Sequence, residues 1–148
     1  MLTIPSKKRL NILLVDDAHE TVEKIKQIFK TNEITYPLFT AKNGLEALEM
    51  LRTQDGKPPV IPKESRLILL ALNSPKINGA EFLRELRSEP ELKVIPVVVL
   101  ANSCDNEEAK LKLYKLNVAG CISKPVASEE LIEVFMIIIK YWTINELP

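Results

Sequence analysis

Five short runs, apolar at nearly every position, punctuate this chain: Ile12 to Val15, roughly Thr35 to Thr40, Leu67 to Leu72, Val97 to Leu100 and Ala119 to Ile122. A strand with one wet face alternates apolar and polar residues. Unbroken runs rich in Val, Ile and Leu instead mark strands buried on both faces. Longer helical patterns separate them, at about 18–31, 43–53, 79–88, 105–116 and 128–143. Val22, Ile25, Ile28 and Phe29 form one apolar face at helical spacing, and Leu45, Leu48 and Leu51 form another. Ser128 followed by Glu129 and Glu130 predicts an N-cap with acids in the first turn, where the helix dipole favours them. Pro58, Pro59 and Pro62 bar Thr53 to Arg66 from a helix or a central strand, so this segment is expected to be an exposed extended loop. Strand and helix thus alternate along the whole chain. That order predicts a doubly wound, parallel α/β sheet with right-handed crossovers and helices on both faces. In such a sheet, ligands and chemistry gather at the carboxyl ends of the strands.

Composition narrows the function classes. The 148 residues predict a single domain over 1–148, with its core at about 10–143 and with frayed residues from Asn145 to Pro148. Twenty basic residues balance twenty acidic ones, which removes the electrostatic argument for nucleic acid or an anionic membrane as the main partner. The longest apolar run, Val94 to Ala101, is eight residues long and broken by Pro96, far short of a membrane span. Lys7, Lys8 and Arg9 precede an apolar stretch that ends at Asp16, too short for the core of a secretory signal. These features predict a cytoplasmic protein. Its two cysteines, Cys104 and Cys121, are too few for a disulfide scaffold and too far apart in sequence for a metal knuckle, which fits a reducing compartment.

The residues that follow the strands carry the chemistry. After the first run come Asp16 and Asp17, two adjacent carboxylates able to hold a hard cation such as Mg²⁺ or, alternatively, to cap the next helix. After the fifth run stands Lys124-Pro125, a compact positive charge suited to a phosphate or to those carboxylates. Four stretches in this order, Asn11-Ile12-Leu13-Leu14-Val15-Asp16-Asp17, Leu67 through Gly79 (LILLALNSPKING), Ile95 through Leu100 (IPVVVL) and Gly120 through Lys124-Pro125 (GCISKP), resemble the receiver domain of two-component response regulators. The Leu-Asn-Ser-Pro-Lys-Ile-Asn-Gly segment and the proline-bearing loop before it look most like the stand-alone receivers found beside bacterial phytochrome-type kinases.

This resemblance implies a CheY-like, flavodoxin-like (βα)5 fold with strand order 2-1-3-4-5. It also implies phosphoryl transfer from a histidine kinase to an aspartate at the end of the third strand. At that position the chain carries Ala71. A methyl group offers no oxygen nucleophile, so no acyl phosphate forms there. Where the family has a Thr or Ser at the end of the fourth strand the chain has Ala101, and where it has its switch aromatic the chain has Cys121. Asp16, Asp17 and Lys124 are the remnants of the family's site. The implied metal ligands reduce to Asp16, Asp17 and the backbone carbonyl of Asn73, which predicts weaker Mg²⁺ binding than in an intact receiver. The expected protein is a pseudo-receiver in a phosphorelay: a binding module, not an enzyme, whose partner is a histidine kinase or another two-component protein.

Other residues offer rival chemistry. Ser74 and Ser103 lie near the vacant position, but neither has an adjacent base to make it a nucleophile. His19 is expected to be exposed in the first turn of the first helix and belongs to no catalytic motif. A small Mg²⁺-dependent hydrolase or phosphatase built on Asp16, Asp17 and Lys124 is the alternative from another class, although no oriented nucleophile or phosphate-cradling loop accompanies it. Cys104 and Cys121 fall on neighbouring strands of the expected sheet and suggest redox control. The last helix is apolar around nearly its whole circumference, more than a core-facing stripe requires. Phe135, Met136, Ile139 and Trp142 are therefore expected on a homodimer or partner interface.

Overall fold

A computed structural model describes residues 9–72, 78–102, 104–125 and 127–148, the side chain of Ser128 excepted. Five strands, β1 (Asn11–Val15), β2 (Leu38–Ala41), β3 (Arg66–Leu72), β4 (Val97–Ala101) and β5 (Gly120–Ser123), alternate with five helices. These are α1 (His19–Thr31), α2 (Gly44–Leu51), α3 (Gly79–Ser88), α4 (Glu107–Lys115) and α5 (Ser128–Thr143). All strand pairs are parallel, in the order β2-β1-β3-β4-β5. Successive side chains of a strand point to opposite faces, and the unbroken apolar runs use both. Leu13, Val15, Ile68, Leu70, Val97 and Val99 meet Leu48, Leu51, Phe82, Leu83, Leu86 and Leu113 from α2, α3 and α4. Ile12, Leu14, Leu67, Leu69, Val98 and Leu100 meet Val22, Ile25, Phe29, Leu131, Phe135 and Ile139 from α1 and α5.

Three helices begin on an asparagine whose side-chain oxygen accepts an N–H three residues on. Asn43 takes that of Glu46 at 2.8 Å, Asn78 that of Glu81 at 3.0 Å and Asn106 that of Ala109 at 3.0 Å. Each cap satisfies one donor that the first turn leaves unpaired.

The structure departs from the sequence-based expectations in several places. β2 starts at Leu38 because Pro37 has no N–H to give to the ladder, although its carbonyl accepts the Ile12 N–H at 3.1 Å. The N-cap of α5 is Ala127, and Ser128 is its first helical residue, with Glu129 and Glu130 in the first turn as expected. Thr53 to Arg66 is not wholly exposed: Ile61 is fully buried, and Arg66, the first residue of β3, is buried with it. The last residues are held down, since the Ser65 N–H donates to the main-chain oxygen of Pro148 at 2.7 Å and Leu147 packs on the α1–α5 core. Finally, Phe135 and Ile139 are fully buried beneath α5 and belong to the core rather than to a free surface. Met136 and Trp142 are half-buried, and the apolar residues that α5 leaves in solvent are Ile137 and Tyr141.

Candidate functional site

Register brings the strand-end residues to one end of the sheet. Val15 of β1 pairs with Leu70 of β3, so Asp16 and Ala71 stand side by side one step further on. Across the sheet Leu72 pairs with Ala101, and Ala101 pairs with Ser123. The Lys124 N–H donates to the Ala101 carbonyl at 2.7 Å, which sets Lys124 at the same edge. Ala71 and Ala101 are both buried, at 2% and 8% exposure.

Asp16 is buried as well, its main chain fastened by an N–H donated to the Ala41 carbonyl at 2.9 Å. Its Oδ1 accepts the Ala18 N–H at 2.8 Å, a local turn that fixes the carboxylate and leads the chain into α1. Asp17, next to it, is half-buried. The sequence left open whether this acid pair caps a helix or serves a cation. The side chain of Asp16 does shape the entry to α1, while the α1 N-cap itself is Ala18, without a side-chain cap. Two adjacent carboxylates at a strand end suit a hard cation. Among the described residues, no group of three His, Cys, Asp or Glu side chains is placed to hold a metal ion.

Lys124 turns toward α1, where its Nζ donates to Thr21 Oγ1 at 3.2 Å. Sequence reasoning missed Thr21, and no local pattern could have found it, since 103 residues separate the pair. His19 is exposed at the start of α1, as expected. Asn73, Ser74 and Ser103 lie outside the described residues. Cys121, on β5, pairs with Val99 in register, and its sulfur lies 2.7 Å from that of Cys104. Burial, together with the neighbouring Cys104 thiol, pushes the Cys121 thiol up to about 12.

Comparison with known proteins agrees with this architecture. The model of the response regulator receiver domain matches residues 12–136. Response regulator Rcp1 from Synechocystis sp. is 36% identical over 131 residues, which is 88% of this chain and 87% of that protein. The crystal structure of the phosphorylated cyanobacterial phytochrome response regulator RcpA superposes with a TM-score of 0.80 at 33% identity, over 95% of this chain and 99% of the other. The Mn²⁺-bound form of Rcp1 gives 0.75 at 35% identity, over 93% and 97%. With strand order, strand-end acids and lysine, and these likenesses in agreement, the chain belongs to the response regulator receiver domain family.

Proposed function

We propose that this chain is a receiver without a phospho-acceptor, a protein-binding module of two-component signalling that works without phosphorylation. The observation that carries the reading is Ala71: a buried methyl stands beside Asp16 at the carboxyl end of β3, where a receiver needs an oxygen nucleophile. Two further positions support it. Ala101 brings no hydroxyl to the end of β4, and Cys121 brings no aromatic ring to β5. In an intact receiver the acceptor, the hydroxyl and the ring bias a two-state equilibrium together. A chain lacking all three holds one conformation.

Metal binding follows the same logic. Asp16, Asp17 and the backbone carbonyl of Asn73 are the groups that would hold a divalent cation. One carboxylate oxygen is already engaged by the Ala18 N–H, and Ala71 adds no third carboxylate. The donor set therefore suits Mg²⁺ or Mn²⁺ with reduced affinity. The partner is a histidine kinase or another two-component protein, and the likeness to a phytochrome response regulator favours a phytochrome-type kinase. The outward face of α5, with Ile137 and Tyr141 exposed and Met136 and Trp142 half-buried, is the surface we assign to that partner or to a second copy. The hydrolase reading is weaker, because the Lys124 ammonium is bonded to Thr21 on α1 and the described residues supply no oriented nucleophile.

The test is a titration with beryllofluoride and Mg²⁺ followed by amide NMR. The chain is expected to show no shifts beyond those that Mg²⁺ alone produces around Asp16 and Asp17, while Ala71→Asp, which restores the acceptor, shifts at the ends of β3 and β4. Beryllofluoride-dependent shifts in the unaltered chain would defeat the reading.

A further inference from the structure

Cys104 and Cys121 are both half-buried at the edge of the core that α2, α3 and α4 cover. Their sulfurs lie 2.7 Å apart, and 17 positions separate them in the chain. A covalent sulfur–sulfur bond measures about 2.05 Å, so the two atoms need to close by only about 0.6 Å. The backbone already brings them together. Cys121 stands on β5 beside Val99 of β4. Cys104 follows β4, and its N–H donates to Ser123 Oγ on β5 at 3.1 Å. Two residues beyond Cys104, Asn106 caps α4, so a bond here ties the segment that launches α4 to the neighbouring strand. One turn into α4, the Lys110 ammonium lies within electrostatic reach of both sulfurs.

We propose that Cys104 and Cys121 form a reversible disulfide under hydroperoxide, making this corner a thiol redox site that pins the start of α4 to β5. This inference stands on the sulfur geometry and does not rest on the reading of Ala71. In the first step the Cys104 sulfur, as thiolate, attacks one peroxide oxygen. The O–O bond breaks, the second oxygen leaves as hydroxide and takes up a proton to become water, and Cys104 becomes a sulfenic acid. Cys121 then attacks the Cys104 sulfur. The S–O bond breaks, and the departing hydroxide takes the Cys121 proton and leaves as a second water. Two thiols have lost two electrons and two protons, and one peroxide has become two waters. Burial, with the neighbouring thiol, raises the Cys121 pKa, which makes Cys121 the poorer attacking sulfur and favours Cys104 for the first oxidation. A dithiol reductant reverses the bond by exchange.

The experiment uses the full chain, reduced, freed of reductant and exposed to hydrogen peroxide. It is then quenched in acid, unfolded, treated with N-ethylmaleimide and weighed by intact mass spectrometry. Before oxidation both thiols take the maleimide. After oxidation neither does, the mass falls by two hydrogens, digestion yields one linked peptide pair, and dithiothreitol restores both thiols. The linked protein runs as a monomer on a non-reducing gel, and amide exchange at the start of α4 slows. In Cys121→Ser, Cys104 accumulates as a sulfenic acid trapped by dimedone, and neither Cys121→Ser nor Cys104→Ser forms the linked peptide pair. Two thiols still alkylated after peroxide, oxygen added to each sulfur without a link, or a link between two chains would each overturn the proposal. Unchanged exchange at α4 in the linked protein would overturn the pinning.

Discussion

The guanidinium of Arg66 reaches three main-chain oxygens: those of Pro62 at 2.8 Å, Leu51 at 3.0 Å and Ile61 at 2.6 Å. Through them one buried side chain ties the end of α2 and the proline loop to the first residue of β3. Burial pulls its pKa below the usual arginine value, yet the group stays charged because every contact is to an acceptor. Arg66→Ala strips three charge-assisted bonds and leaves buried carbonyls unpaired, for an expected loss of about 3 kcal/mol. Arg66→Lys should recover only part of it, since an ammonium cannot reproduce the planar fork. Urea denaturation of the three proteins checks this. The loop's prolines were legible in sequence as a bar to helix and central strand, but the buried arginine was not. Charge in a sequence says nothing of which carbonyls a fold will leave waiting. The same holds at the strand ends. The acids and the lysine stood out by order along the chain, whereas the Lys124–Thr21 bond joins residues too distant for any local pattern.

Helix α5 shows what composition can and cannot tell at the next scale. Its apolar residues encircle the helix, so the sequence alone could not say which face meets the sheet. Packing decides it: Leu131, Phe135, Ile138 and Ile139 enter the core, while Ile137 at 66%, Tyr141 at 56% and, just past the helix, Ile144 at 63% stay exposed. These three follow one another at helical spacing along the outward side. Phe135→Ala should cost about 3–5 kcal/mol through lost burial and an unfilled cavity. Ile137→Lys should leave the denaturation midpoint nearly unchanged, because surface changes away from the core stay within about 0.5 kcal/mol. If the outward stripe is the interface we assign, Ile137→Lys weakens self-association or kinase binding, read by light scattering over a concentration series and by pull-down. Equal association in both proteins would remove α5 from the interface. Element boundaries elsewhere were legible because the runs are buried on both faces. Where a proline precedes a strand the ladder starts late, as β2 does after Pro37, whereas α5 runs over 128–143 as its pattern predicts and only its cap differs.

For the whole molecule, the parallel order β2-β1-β3-β4-β5 puts every strand's carboxyl end on one rim and a helical layer on each face. The parallel sheet with helices on both faces followed from alternation of runs and from chain handedness, while the strand order was implied by the resemblance to receiver domains. On the rim, Asp16 and Lys124 survive beside two buried methyl groups, Ala71 and Ala101. With a methyl in place of an oxygen nucleophile, this rim is expected to take up no phosphoryl group. The most direct measurement is the intact mass of the full chain after incubation with acetyl phosphate and Mg²⁺, and again with a phosphorylated histidine kinase, beside Ala71→Asp under the same conditions. The expected result is an unchanged mass for the chain and one added, acid-stable but hydroxylamine-labile phosphoryl group for Ala71→Asp. A phosphoryl group carried by the unaltered chain would contradict it.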